Sequence, residues 1–145
     1  MDPLSVTASI IAVIQLAQKV LSICYDFRRW IKSVPKELQQ ITSEVISLRD
    51  VLECLMKLAD SVETAGSNGS SQLSSLKLLV APDGSLSKCL AELAALERKL
   101  TPIVGMKAIG KALDWTLKEG EVKDTLDRIG RIKATLNLAL TADQT

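Results

Sequence analysis

The sequence predicts an all-α protein, a helical bundle of four to five helices with a central hydrophobic N-terminal helix. Three observations carry this expectation. Apolar residues recur every three or four positions over long segments, the repeat of a helix that buries one face. Hydrophobic residues make up 47% of the chain but aromatic residues only 3%, and a core of Leu, Ile, Val and Ala suits packed helices better than sheets. Glycine (7) and proline (4) are scarce, so the chain has few places to break. At 145 residues it is one domain by size, 1–145, long enough to bury a sizeable core.

The first helix is expected from Pro3 to about Lys32. Asp2 can cap it, and Pro3 suits the first helical position, where a missing N–H costs nothing. Polarity then changes along its length. From Gln15 a polar stripe appears through Gln18, Lys19, Ser22, Asp26 and Arg29. Before it, Ile10 to Ile14 are five consecutive apolar residues, more than one full turn. That half is apolar on every side and needs cover all round, from a bundle interior or from lipid. In the resting fold the second, third and fifth helices are expected to supply it.

Ser33-Val34-Pro35 breaks the chain, and the second helix is expected from about Pro35 to Glu63. Leu38, Ile41, Val45, Leu48, Leu52, Leu55, Ala59 and Val62 step alternately by three and four, a heptad-like seam for shallow packing. Glu53 and Lys57 are spaced for an ion pair on the outer face. Thr64 to Gln72 reads as a polar loop, Leu73 to Val80 as an added helical turn, and Ala81-Pro82-Asp83-Gly84 as a second break. The third helix follows over about Ser85 to Leu100, with Leu86, Leu90, Leu93, Leu96 and Leu100 on one face and Thr101-Pro102 as its stop.

A fourth helix is expected over about Lys107 to Lys118, buried through Ile109, Ala112, Leu113 and Leu117. Gly120 permits a break. A fifth helix then runs to about Leu140, with Val122, Leu126, Ile129, Ile132 and Leu136 inward. Asp124 with Arg128, and Asp127 with Arg131, have the acid-first spacing of solvated ion pairs. Thr141 to Thr145 reads as a frayed polar end, or as the point from which a longer protein continues.

Charge and composition argue against several function classes. The net charge of +1 predicts neither nucleic-acid binding nor an acidic partner. The absence of histidine removes Ser-His-Asp and Cys-His catalysis and the commonest zinc ligand sets. Cys24, Cys54 and Cys89 form no CxxC and lie in apolar helical patterns, so buried, reduced thiols in a cytosolic protein are expected. Most carboxylates are spaced to pair with bases, and no glycine-rich phosphate loop opens a helix after a strand. The chain is therefore expected to be no enzyme and to hold no cofactor or metal. Met1-Asp2-Pro3 lacks the positive start of a signal peptide, and no small-x-small cleavage site closes the apolar run before Lys19. The Asn68-Gly69-Ser70 sequon is read as loop.

Magnitudes weigh membrane against core for the opening helix. The sixteen uncharged residues at 3–18 span roughly 24 Å at ~1.5 Å per residue, short of the ~30 Å hydrocarbon layer. Extending to Ile23 gives about 31 Å and includes Lys19, which can snorkel. Leu4, Val6, Ile10, Ile11, Val13, Ile14 and Leu16 are the insertion candidates, together about −3 to −4 kcal/mol on an insertion scale. Ser5, Thr7, Ser9, Gln15 and Gln18 offset most of that, so a lone copy is marginal in lipid and favoured in a bundle. Two basic groups suit anionic headgroups: Arg28, Arg29, Lys32 and Lys36, and the helical face of Lys111, Trp115 and Lys118. The competing readings are bases that compensate a helix C-terminus, and a tryptophan packed in the core.

Three stretches carry a family resemblance. They are Met1 to Ser9 (MDPLSVTAS), Val34 to Leu38 (VPKEL), and the run from Leu113-Asp114-Trp115 through Lys118, Glu119, Val122, Leu126 and Arg128 to Ala134-Thr135-Leu136-Asn137-Leu138-Ala139-Leu140. In order and spacing they resemble the N-terminal domains of fungal STAND proteins, the immune-receptor-like HeLo-like group, over nearly the whole chain. That group is related to HeLo domains and to the four-helix bundle of the mixed-lineage kinase-like pseudokinase. Many members carry glycine within the first helix, whereas Thr7 to Ala12 here has none, so glycine-dependent packing does not carry over.

The resemblance implies an N-terminal effector domain of a longer fungal protein, continuing into a nucleotide-binding module and repeats, or ending in an amyloid signalling motif. It implies regulated cell death, as in heterokaryon incompatibility and innate immunity, through oligomerisation and membrane permeabilisation by the N-terminal helix. The implied partners are further copies of itself, anionic membrane lipids and downstream modules of the same or a partner receptor, with no nucleic acid. The implied location is cytoplasmic at rest and the plasma membrane on activation. The alternative is a non-membrane adaptor that relays signals by helix–helix contacts.

Overall fold

The computed structural model describes residues 3–30, 36–65, 84–105 and 119–142, and the statements below concern these. They form four helices, α1 Pro3–Trp30, α2 Lys36–Ala65, α3 Ser85–Gly105 and α4 Glu119–Ala142, with no strand among them. The expected helix over 107–118, the added turn at 73–80 and the sequon lie outside the described residues.

The seam of α2 faces inward as its spacing requires: Leu38, Ile41, Val45, Leu48, Leu52, Leu55 and Ala59 are all buried. The Thr42 hydroxyl beside them donates to the Leu38 carbonyl at 2.7 Å, and buried Thr125 does the same to Glu121 at 2.9 Å. Bonding back one turn leaves neither hydroxyl unsatisfied. In α3 the Lys88 amide donates to the Gly84 carbonyl at 3.1 Å, which starts the helix at the glycine of the expected break.

Three local expectations are corrected. α3 continues through Thr101-Pro102 to Gly105. Proline removes one intrahelical bond, but its fixed φ is helical, so a last turn can absorb it. On α3 the inward row is Leu86, Cys89, Leu93, Leu96 and Leu100, while Leu90 is 41% exposed. Leu90 sits about 100° round the helix from Cys89, and the small thiol fits the core face. On α4, Val122, Ile129, Ile132 and Leu136 are buried as expected, but Thr125 is buried where Leu126 is half-buried.

The four helices pack as a ring. α1 lies against α2 and α3, and α4 closes the other side against the same two. The diagonal pairs α1 with α4, and α2 with α3, make no close approach. The N-terminal helix therefore holds one corner of the bundle. The backbone of α1 runs beside α2 and α3 and not beside the last helix, while Ile10, Val13 and Ile14 share one buried core with residues of all three other helices and Ile11 remains 38% exposed. One continuous core fills the ring, with Phe27 and Ile10 its largest contributions from α1.

Candidate functional site

α1 is the candidate, and its two faces differ in chemistry. Ile10, Val13, Ile14, Ala17, Val20, Leu21, Cys24 and Phe27 form the buried face. The opposite stripe runs through Ala8, Ile11, Ala12, Gln15, Gln18, Lys19, Ser22, Tyr25 and Arg29, all exposed. From Gln15 this stripe is largely polar, as expected. Its first part is apolar and still faces outward. Of the insertion candidates, Ile10, Val13 and Ile14 lie in the core, Leu16 is half-buried and Ile11 is exposed, while the Leu4 and Val6 side chains lie outside the described residues.

The segment Thr7–Arg29 has 23 residues and contains an 18-residue window of mean hydropathy 1.6, so by length and composition alone it could cross a membrane. The core helix of a soluble protein and a signal sequence near the N-terminus meet the same criterion, and 39% of this segment's apolar window is buried inside the bundle. At ~1.5 Å per residue the segment spans about 34 Å.

Polar ties between α1 and its neighbours include an exposed ion pair and a buried thiol contact. Lys19 Nζ stands 3.0 Å from Glu97 Oε1 on α3, with 63% of the lysine side chain in solvent. An exposed pair of this kind contributes ~0–1 kcal/mol. The Cys24 thiol hydrogen-bonds Thr42 of α2. Apolar packing therefore does most of the holding.

The basic cluster is only partly within reach. Arg28 and Arg29 are exposed in the last turn of α1, where positive charge favourably meets the helix dipole. Arg29 Nη1 is 3.9 Å from Asp26 Oδ1, and Lys36 is exposed at the start of α2. Lys32, Lys111, Trp115 and Lys118 lie outside the described residues.

Several ion pairs join different helices, where the sequence pointed to pairs along one helix. Arg128 Nε donates to Glu92 Oε1 of α3 at 2.6 Å, in place of the expected pairing with Asp124. Lys133 Nζ reaches Glu44 Oε1 of α2 at 2.7 Å and donates to Ser47 Oγ at 3.2 Å. No local spacing announces such pairs, because Glu44 and Lys133 belong to helices far apart in sequence. Beside the Arg128–Glu92 pair, α3 and α4 enclose an open groove of about 280 Å³ that Lys88 and Arg131 also line.

The thiols offer no nucleophile on the buried side. Burial pushes the Cys24 thiol up, against the Thr42 hydrogen bond and the Arg28 charge, which pull it down. Burial first, and the Glu92 carboxylate second, push Cys89 up to about 12. Cys54 departs from expectation and is exposed. Among the described residues no group of three or more His, Cys, Asp or Glu side chains is placed to hold a metal.

Comparison with known proteins gives one match. The family model described as pigment biosynthesis cluster protein PigL N-terminal, a fungal domain, matches residues 1–144. No curated protein and no solved structure matches the chain.

Proposed function

The chain belongs to the fungal family described as pigment biosynthesis cluster protein PigL N-terminal, and from that premise we propose a non-enzymatic effector domain that targets membranes through α1. In this reading the domain rests in the cytoplasm. On activation its copies associate, α1 leaves the bundle for the plasma membrane, and permeabilisation leads to regulated cell death, as the HeLo-like resemblance implies. Its partners are further copies of the chain, anionic lipids and downstream modules of a longer receptor.

One observation carries the reading: a membrane-length apolar helix sits at a corner of the ring, with apolar residues facing outward in its first half. A corner helix can leave without unthreading the rest, since α4 still packs on both α2 and α3.

Magnitudes say when it leaves. Ile10, Val13, Ile14, Val20, Leu21 and Phe27 are buried, and at ~1.5–3 kcal/mol each their exposure costs on the order of 10 kcal/mol. Insertion of one helix returns at most about 3–4 kcal/mol. A single copy therefore keeps α1 in the bundle, and contacts between copies must offset the difference. Clustering is the trigger that this imbalance requires.

Dye release from vesicles with and without anionic lipid tests the reading. Leakage should rise steeply with protein concentration on anionic vesicles, and deleting residues 2–23 should abolish it. Leakage that persists after the deletion, or self-association indifferent to lipid, overturns the proposal and favours an adaptor.

A further inference from the structure

We propose that the groove between α3 and α4 is a phosphate-binding site, distinct from the N-terminal helix and independent of the role assigned to it. Lys88 of α3 and Arg128 and Arg131 of α4 line it, with buried Ile132 beneath. Three cations meet there with a single carboxylate, Glu92. Arg128 already engages that carboxylate at 2.6 Å. Lys88 and Arg131 are exposed, and among the described residues neither forms an ion pair. The groove thus carries two uncompensated positive charges in a chain whose overall charge is only +1.

Their placement has a local cost. Lys88 lies near the amino end of α3, where the helix dipole disfavours a cation, and the first turn there holds no acid to compensate it. An anion seated between Lys88 and Arg131 would relieve both, and the Ser85 hydroxyl at the rim can donate to it. The volume of about 280 Å³ falls just below the ~300–1,000 Å³ of drug-sized sites, which suits a phosphate or a small phosphorylated group. Arginine brings the planar fork that phosphate oxygens accept in pairs, and lysine adds a point charge. The phosphate can come from a lipid headgroup or from a soluble molecule.

Titration of the 145-residue chain with inorganic pyrophosphate at constant ionic strength, read by calorimetry, tests the site. Saturable binding is expected. The double variant Lys88→Gln with Arg131→Gln should weaken it at least tenfold. The charge-matched control Lys57→Gln with Lys123→Gln, exposed and outside the groove, should leave it within twofold. On the unaltered protein, pyrophosphate should protect Lys88 from an amine-reactive label while Lys57 and Lys123 stay reactive. This readout does not depend on how the variants fold. Vesicles of phosphatidylcholine with and without a phosphoinositide then separate the sources. Vesicle binding that pyrophosphate displaces assigns a headgroup, and pyrophosphate binding without vesicle binding assigns a soluble ligand. No saturable binding, equal loss in both double variants, or no protection of Lys88 overturns the proposal.

Discussion

Lys19, the first charged residue after Asp2, places its Nζ 3.0 Å from Glu97 Oε1 and so ties α1 to α3. The bond lies at the outer surface, so it marks where α1 is seated more than it holds it there. Lys19→Ala and Glu97→Ala, each compared with the double variant by urea unfolding, should give a coupling below ~1 kcal/mol that shrinks with added salt. A larger coupling, unchanged by salt, would mean the pair is a structural lock.

The apolar face should dominate instead. Phe27→Ala removes a fully buried ring from α1 and should cost ~3–5 kcal/mol. Leu138→Ala, at a position 70% exposed, should stay within ~0.5 kcal/mol. Thermal or urea unfolding of both variants measures the contrast, and similar losses would place α1 outside the cooperative core.

Local order was legible in this sequence to the extent that a single helix face decides it. The α2 seam is the clearest case, since each of its described positions faces inward. Leu90 shows the limit. Its hydrophobicity argued for the core, yet the geometric row through Cys89 prevailed, because position on the helix outranks side-chain size. Which helices run beside α1 is a matter of ring topology, which periodicity does not encode: it says that a face is buried, not by what. The α3–α4 groove was missed for the same reason, as Lys88 and Arg131 are unremarkable on their own helices and meet only through packing.

The thiols give a pH prediction. Cys89 titrates at about 12 in the fold against an ordinary 9.0. Between those values the unfolded chain releases this proton and the folded protein keeps it. Stability contributed by Cys89 is thus complete below about pH 9 and falls as pH rises toward 12, at up to ~1.4 kcal/mol per unit. Urea unfolding at pH 8 and pH 10.5 should show a smaller loss for Cys89→Ala than for the unaltered protein, whatever the baseline cost of the substitution. Equal losses would mean that the thiol is not held protonated by its burial.

A pair of charge insertions two residues apart separates fold from function. Ile11 is 38% exposed and Val13 only 2%. Ile11→Lys keeps its ammonium in water, so the thermal transition should move by no more than a surface change moves it, ~0.5 kcal/mol. In lipid the same lysine costs ~2.5–3.5 kcal/mol near a helix centre. That cost exceeds the marginal net insertion energy of α1 and should raise the protein concentration needed for vesicle leakage at least tenfold. Val13→Lys buries the charge between α1 and its neighbours and should unfold the bundle outright, seen as loss of the cooperative melt. If Ile11→Lys leaves leakage unchanged while the fold is intact, α1 does not enter the bilayer at this depth, and the permeabilising surface must be sought on another helix.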